Sequence, residues 1–237
     1  MTVHGDSGPL RLAFYGDDFT GSTDALEVLA FAGLRCALFL DAPTPAALRA
    51  LGSYDAIGIA GHSRGMSPAE MDETLPGLFA ALRELDAPLV HYKVCSTFDS
   101  SPAIGNIAHV VHLGRQVFGD ATVPVVAGTP MLGRYCAFGN LFARSGTDGR
   151  TYRIDRHPIM SVHPVTPMHE GDLAAHLRLQ APLEIENFAL PSFELDAGAR
   201  QESVEASRAQ AMLFDATTPA HLTEVGRLLE HRQVRRG

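Results

Sequence analysis

Short apolar runs alternate with longer amphipathic segments through the first half of the chain, and this rhythm constrains the fold more than any other feature. Leu10 to Tyr15, Cys36 to Leu40, Ala56 to Ala60, Leu89 to Tyr92 and Thr122 to Ala127 read as buried strands. Helical patterns lie between them, from about Ser22 to Ala32, from Pro68 to Leu85 and from about Ile104 to Phe118. A shorter helix is opened by Thr44, with Pro45 at its first position. Continuous apolar strands separated by helices are what a mostly parallel sheet requires when helices cover both faces. The expected fold is therefore α/β, Rossmann-like and three-layered, formed as a single domain over residues 1–237. The C-terminal half is irregular. Arg144 to Arg150 reads as a polar turn and Arg156 to Glu170 as a structured loop. Ile185 to Leu190 and Ala211 to Phe214 read as further strands, a last helix starts at Thr218 and Pro219, and His231 to Gly237 forms a basic tail.

Composition narrows the partners. Hydrophobic residues make up 46% and charged residues 19%, the balance of a globular chain with a real core. A formal charge of −8 argues against a nucleic-acid partner, although a local basic cluster can still bind a small anion. Cys36, Cys95 and Cys136 are scattered and form no C-x-x-C pair, the pattern of reduced thiols in a cytoplasmic protein. Met1 to Pro9 lacks the features of a signal peptide, and no stretch approaches the roughly 20 apolar residues of a membrane span. A homodimer is left open.

In open α/β sheets, ligands bind outside the carboxyl ends of the strands. That rule selects four loops: Gly16 to Ser22, Gly61 to Met66, Lys93 to Asn106 and Gly128 to Gly139. In the first, Asp17 and Asp18 can hold a metal ion, take a hydroxyl proton or accept sugar hydroxyls. Helix capping accounts for one polar residue of that loop, not for the whole group. Gly61-His62-Ser63-Arg64-Gly65 matches the G-x-S-x-G nucleophile elbow. However, Ser67-Pro68-Ala69-Glu70 is a capping box that starts the helix beyond Ser63 and leaves Ser63 on a loop. Arg64 is placed to grip a carboxylate with both arms of its fork. Lys93, Ser96, Thr97 and Asp99 suit an anionic, hydroxylated ligand, whereas Ser100 and Ser101 can equally cap the next helix. Cys95 reads as packing. His157, His163 and His169 recur every six residues, which fits no helix or strand face and no common zinc pattern, so no metal site is expected. One or two of them as ligand contacts stays open.

In this order the loops resemble the N-terminal domain of the four-carbon acid sugar kinase family, formerly a domain of unknown function. The family's A-D-D-x-T-G-x-x-D loop is matched by Gly16-Asp17-Asp18-Phe19-Thr20-Gly21-Ser22-Thr23-Asp24. Its Ser-Arg pair is matched by Ser63 and Arg64, and its later G-R by Gly133 and Arg134. Its K-x-D-S-T-L-R-G segment is similar to Lys93-Val94-Cys95-Ser96-Thr97-Phe98-Asp99-Ser100. Two positions depart from the pattern: Cys95 stands for Asp and Asp99 for Arg. That moves the implied substrate from threonate or erythronate toward a different acid, such as an amino- or keto-bearing one.

The resemblance implies transfer of the γ-phosphoryl group of ATP to a terminal hydroxyl of a short sugar acid. Asp17 or Asp18 would orient or deprotonate that hydroxyl, with Mg²⁺. Arg64 and Lys93 would hold the carboxylate, with Ser63 beside them. Ser96, Thr97 and Asp99 would bind hydroxyls, and Arg134 would face substrate or phosphate. ATP and Mg²⁺ belong to the complete enzyme, and neither is expected to bind tightly to this chain. The family's C-terminal nucleotide-binding domain is expected to be absent or a separate partner, since neither G-x-x-x-x-G-K-[ST] nor G-x-G-x-x-G occurs. The alternatives are a stand-alone carboxylate-binding protein and a serine hydrolase using Ser63.

Overall fold

Ala56–Ala60 is buried at every position, as a central strand must be when it is covered on both faces. The computed structural model describes residues 10–119 and 121–234. The reading of Met1 to Pro9 and the end of the basic tail lie outside them. Described residues up to Cys95 form one compact unit, and those from Ser96 onward form a second.

The first unit contains β1 (Leu12–Gly16), α1 (Phe19–Phe31), β2 (Cys36–Phe39), α2 (Pro45–Leu51), β3 (Ala56–Ala60), α3 (Pro68–Glu84) and β4 (Leu89–Lys93). Its sheet is entirely parallel, in the order β2-β3-β1-β4. Right-handed crossovers then put α1 on one face and α2 and α3 on the other. The register sets Gly16 opposite both Ala60 and Lys93, so three strands finish at one level. The loops that follow them start together.

Capping chemistry fixes where the helices begin. Ser67 and Glu70 form the expected reciprocal box, with Pro68 at the first helical position, and Thr44 caps α2 as read. From there α3 buries Met71, Leu75, Phe79 and Leu82, one face at spacings of four and three residues. The start of α1 differs from expectation. It begins at Phe19 rather than near Ser22, because the Asp18 carboxylate accepts the Gly21 N–H at 2.7 Å.

The second unit departs further. The fifth strand, β5 (Val123–Val126), does not extend the first sheet. It pairs in parallel with β10 (Ala211–Phe214), which in turn pairs with β9 (Ile185–Phe188). The stretch expected to be irregular contains an antiparallel sheet of β6 (Arg134–Ala137), β7 (Asn140–Arg144) and β8 (Thr151–Arg153). These strands are short and mix charged with apolar residues, so periodicity alone does not reveal them. The unit also holds α4 (Ile107–Phe118), α5 (Leu173–Gln180), α6 (Ala197–Ala206) and α7 (Pro219–Val234). α7 runs through the start of the supposed tail. One core cluster joins Phe188, Val204, Met212, Phe214, Val225 and Leu228. Elsewhere Gln180 Oε1 accepts the N–H groups of Ile107 at 2.8 Å and Ala108 at 3.3 Å, finishing the N-terminus of α4.

Gln180 Nε2 also donates to Ser100 Oγ at 2.7 Å and meets His176 Nε2 at 2.9 Å. The latter contact needs an unprotonated His176 Nε2, and burial pushes this imidazole down to about 4. The unfolded chain therefore takes up the proton more readily than the native one between pH 6.5 and about 4. Stability should fall on acidification through that window, by up to about 3 kcal/mol from this group. Urea midpoints from pH 7 to 4 should drop more steeply for the native protein than for His176→Gln. Parallel profiles would refute the assignment.

Candidate functional site

Backbone hydrogen bonds tie the three flush strand ends together. Gly61 N donates to Gly16 O at 2.9 Å, Asp17 N to Lys93 O at 2.9 Å, and Arg64 N to Asp17 O at 3.0 Å. The side chains then converge. Arg64 Nε reaches Asp17 Oδ2 at 3.1 Å, its Nη2 reaches Asp17 Oδ1 at 2.7 Å, and its Nη1 lies 2.8 Å from Asp18 Oδ2. The sequence assigns Arg64 to a ligand's carboxylate. In the structure its fork is engaged by Asp17, and its third nitrogen meets Asp18, so it neutralises two neighbouring acids. Two carboxylates on consecutive residues repel, and one guanidinium between them removes most of that cost.

Asp17 is 5% exposed. Burial raises its pKa above the ordinary aspartate value, against the hydrogen bonds and charge of Arg64. Burial also works against the Arg64 charge, but Asp17, Cys95 and Asp18 outweigh it and hold the guanidinium firmly protonated. Lys93 is the complement. Its side chain makes no hydrogen bond or ion pair among the described residues, and its ammonium lies over the first turn of α1. A Cβ added at Gly21 would fall 2.1 Å from Lys93 Nζ and 2.5 Å from Asp18 Oδ1, so only glycine lets both approach that turn.

Beneath the charged groups lies a buried layer that the sequence did not reveal. Ser63 is fully buried, and its Oγ is 2.6 Å from the Tyr92 hydroxyl. Tyr15 packs beside them, and the two tyrosine rings stack with centroids 5.5 Å apart. Burial raises the pKa of both phenols, so they stay neutral. A Cβ at Gly61 would fall 1.9 Å from the Tyr15 oxygen. Ser63 is thus the first residue of the tight Ser63–Gly65 turn, engaged by tyrosines, and no helix follows it directly as an elbow requires. Tyr15 and Tyr92 read in sequence as ordinary strand residues; the only signal was a phenol next to each strand end.

The other candidates belong to the second unit. Ser96 is half-buried. Thr97 Oγ1 donates to Asp99 Oδ1 at 2.5 Å, and Thr166 Oγ1 to Asp99 Oδ2 at 3.3 Å. Asp99 is therefore buried and engaged by hydroxyls of its own chain. His157 Nδ1 accepts the N–H groups of Ile159 and Met160, and His163 Nδ1 accepts that of Thr166. Both histidines hold their own loop. No group of three His, Cys, Asp or Glu side chains is set to hold a metal among the described residues. Arg134 is half-buried on β6, in the loop after β5, which leaves a different sheet from the other three candidate loops.

Residues 12–237 match the family model described as a sugar-binding N-terminal domain. A Paraburkholderia graminis protein named 3-oxo-isoapionate kinase is 46% identical over 223 residues, covering 93% of this chain and 47% of the relative. A Methylobacterium radiotolerans 3-oxo-tetronate kinase is 31% identical, over 94% of this chain and 51% of its own. The chain thus spans about half the length of these relatives. A solved Haemophilus influenzae protein superposes with a TM-score of 0.76 at 26% identity, covering 92% of this chain and 51% of that one. A Bordetella bronchiseptica protein, solved as a domain-swapped dimer with bound citrate, shares the fold with a TM-score of 0.73 at 22% identity, over 93% and 51%.

Ser63→Ala should destabilise the chain by about 1–3 kcal/mol, since it leaves a buried phenol without its partner. The same variant should have no esterase activity to lose. Urea unfolding and a p-nitrophenyl acetate assay check both. Hydrolysis by the native protein that vanishes in Ser63→Ala would restore the nucleophile.

Proposed function

Because the chain belongs to the family of sugar-binding N-terminal domains of four-carbon acid sugar kinases, we propose that it binds the acid substrate of an ATP-dependent kinase. The proposed substrate is a short 3-oxo sugar acid, the class named in the relatives at 46% and 31% identity. The observation that carries the reading is the charge pattern at the strand ends. Arg64 is consumed by Asp17 and Asp18, while Lys93 is held beside them without a partner. A ligand carboxylate supplies the missing anion. Each aspartate oxygen keeps lone-pair capacity beyond its present bonds, which suits the hydroxyls of the same ligand. Citrate in the Bordetella neighbour is a ligand of that kind.

Phosphoryl transfer depends mainly on positioning and charge. Asp17, whose raised proton affinity brings it nearer the working range of a base, takes the role of orienting and deprotonating the acceptor hydroxyl. ATP with Mg²⁺ is implied for the complete kinase. Among the described residues no side-chain cage is set for the metal, and both aspartates are already bound to Arg64. Mg²⁺ relies largely on water and phosphate oxygens, and the nucleotide site is proposed for the half of the relatives that this chain does not span. A dimer, and a cytoplasmic location where ATP is at hand, complete the proposal. No described helix is long and apolar enough to cross a membrane.

In the full-length kinase, Asp17→Asn should lower turnover by about 10²–10⁴-fold, the usual share of a general base. Lys93→Met should act mainly on KM. Coupled ADP release with a 3-oxo sugar acid measures both. Normal turnover in Asp17→Asn would remove the assigned role.

A further inference from the structure

We propose that the outer edge of β2 is a pairing surface for a second copy of this chain, the two strands running antiparallel about a two-fold axis at Leu38. The inference rests on the reading above for the existence of a dimer, names the surface that forms it, and is tested without turnover. β2 ends the first sheet, and among the described residues no strand pairs with its far side. Natural sheets blunt such edges with charge, proline or a covering segment. The run Cys36-Ala37-Leu38-Phe39-Leu40 holds neither charge nor proline, and every position of β2 is only half-buried. The opposite edge strand, β4, carries His91 and Lys93 instead.

Backbone direction and charge select one register. Arg35 O accepts Asp55 N at 2.9 Å and Ala56 N at 3.2 Å, so Arg35, and with it Ala37 and Phe39, turn their polar backbone groups toward β3. Cys36 and Leu38 turn theirs outward. Pairing about Leu38 sets Leu38 against Leu38 of the partner subunit and Cys36 against Leu40 of the partner subunit. The next position sets Arg35 against Asp41 of the partner subunit, and the axis repeats that match. Arg35 spends Nε on Asp55 at 3.2 Å and Nη1 on Ser53 at 2.6 Å, which leaves Nη2. Asp41 accepts the Ala42 N–H at Oδ1, 2.7 Å away, and keeps Oδ2. Sliding the pair to the next backbone-compatible register loses the charge match.

Apolar side chains on one face reinforce the pairing. A Cβ at Gly16 would fall 1.9 Å from Ser22 Oγ, so α1 covers the face that holds Gly16, and with it Phe14, Gly58 and Leu38. On that side Val28, Phe31 and Leu40 are 68%, 85% and 79% exposed. The short link from Ala32 to Arg35 keeps Phe31 level with Cys36, hence beside Leu40 of the partner subunit once the strands pair.

Sedimentation velocity of the whole chain over a range of concentrations should show a monomer–dimer equilibrium. Asp41→Arg should weaken it about tenfold, because the axis then sets like charges against each other twice. Leu40→Cys reads the register. Its new thiol faces the native Cys36 of the partner subunit, so air oxidation with copper phenanthroline should give a disulfide-linked dimer on a non-reducing gel. Adding Cys36→Ala should abolish that product. Should Asp41→Arg not fold, the cross-link alone decides. A chain that stays monomeric throughout overturns the proposal, as it would were this edge reserved for the half of the relatives that the chain does not span. So does a dimer that Asp41→Arg leaves intact, or a cross-link that survives Cys36→Ala. None of these outcomes touches the kinase reading, which is judged by turnover in Asp17→Asn.

Discussion

The two-armed bond between Arg64 and Asp17 links loops from separate strands, and the rest of the site depends on it. It sets a guanidinium against an acid whose proton affinity burial raises, and the third arm of Arg64 restrains Asp18, which caps α1. Release of Arg64 would free two adjacent like charges at the start of a helix. The flush register of β1, β3 and β4 is what brings the pair within reach. The hydrogen bond between Ser63 and Tyr92 holds the turn that carries Arg64. Sheet register, turn geometry and electrostatics thus act as one device.

Much of this was legible in the residues. Strands of the first unit could be placed because each is short, apolar and bounded by helical patterns, and the capping box at Ser67 fixed the start of α3. That Asp17, Asp18, Arg64 and Lys93 would cluster was legible because they lie at strand ends. What each does was not. Pairing between Arg64 and Asp17 spans 47 positions in the chain and leaves no local trace. The same holds for Asp99, whose partner Thr166 is 67 residues away. The β6–β8 sheet was hidden for another reason: its strands of three to five residues mix charge with apolar side chains, so no period emerges.

The G-x-S-x-G match shows how a string of residues can carry two physical meanings. An elbow needs its serine exposed at a strained strand-to-helix turn. Here the same letters bury the serine under two phenols and push the arginine outward. The distance to the next capping box separates the two meanings, and that distance is visible in the sequence.

The side chain of Gln180 closes the start of a helix whose first residue lies 73 positions earlier. On the ribosome, α4 would emerge with those N–H groups unmet and wait for the chain to catch up. At roughly 5–20 residues per second, the wait lasts several seconds. β5 waits longer, for β10. The first unit carries a wait of its own, since Leu12 of β1 pairs with Leu89 of β4, but all its strands emerge before β5 does. Birth order therefore favours assembly of the first unit while the second is still being made.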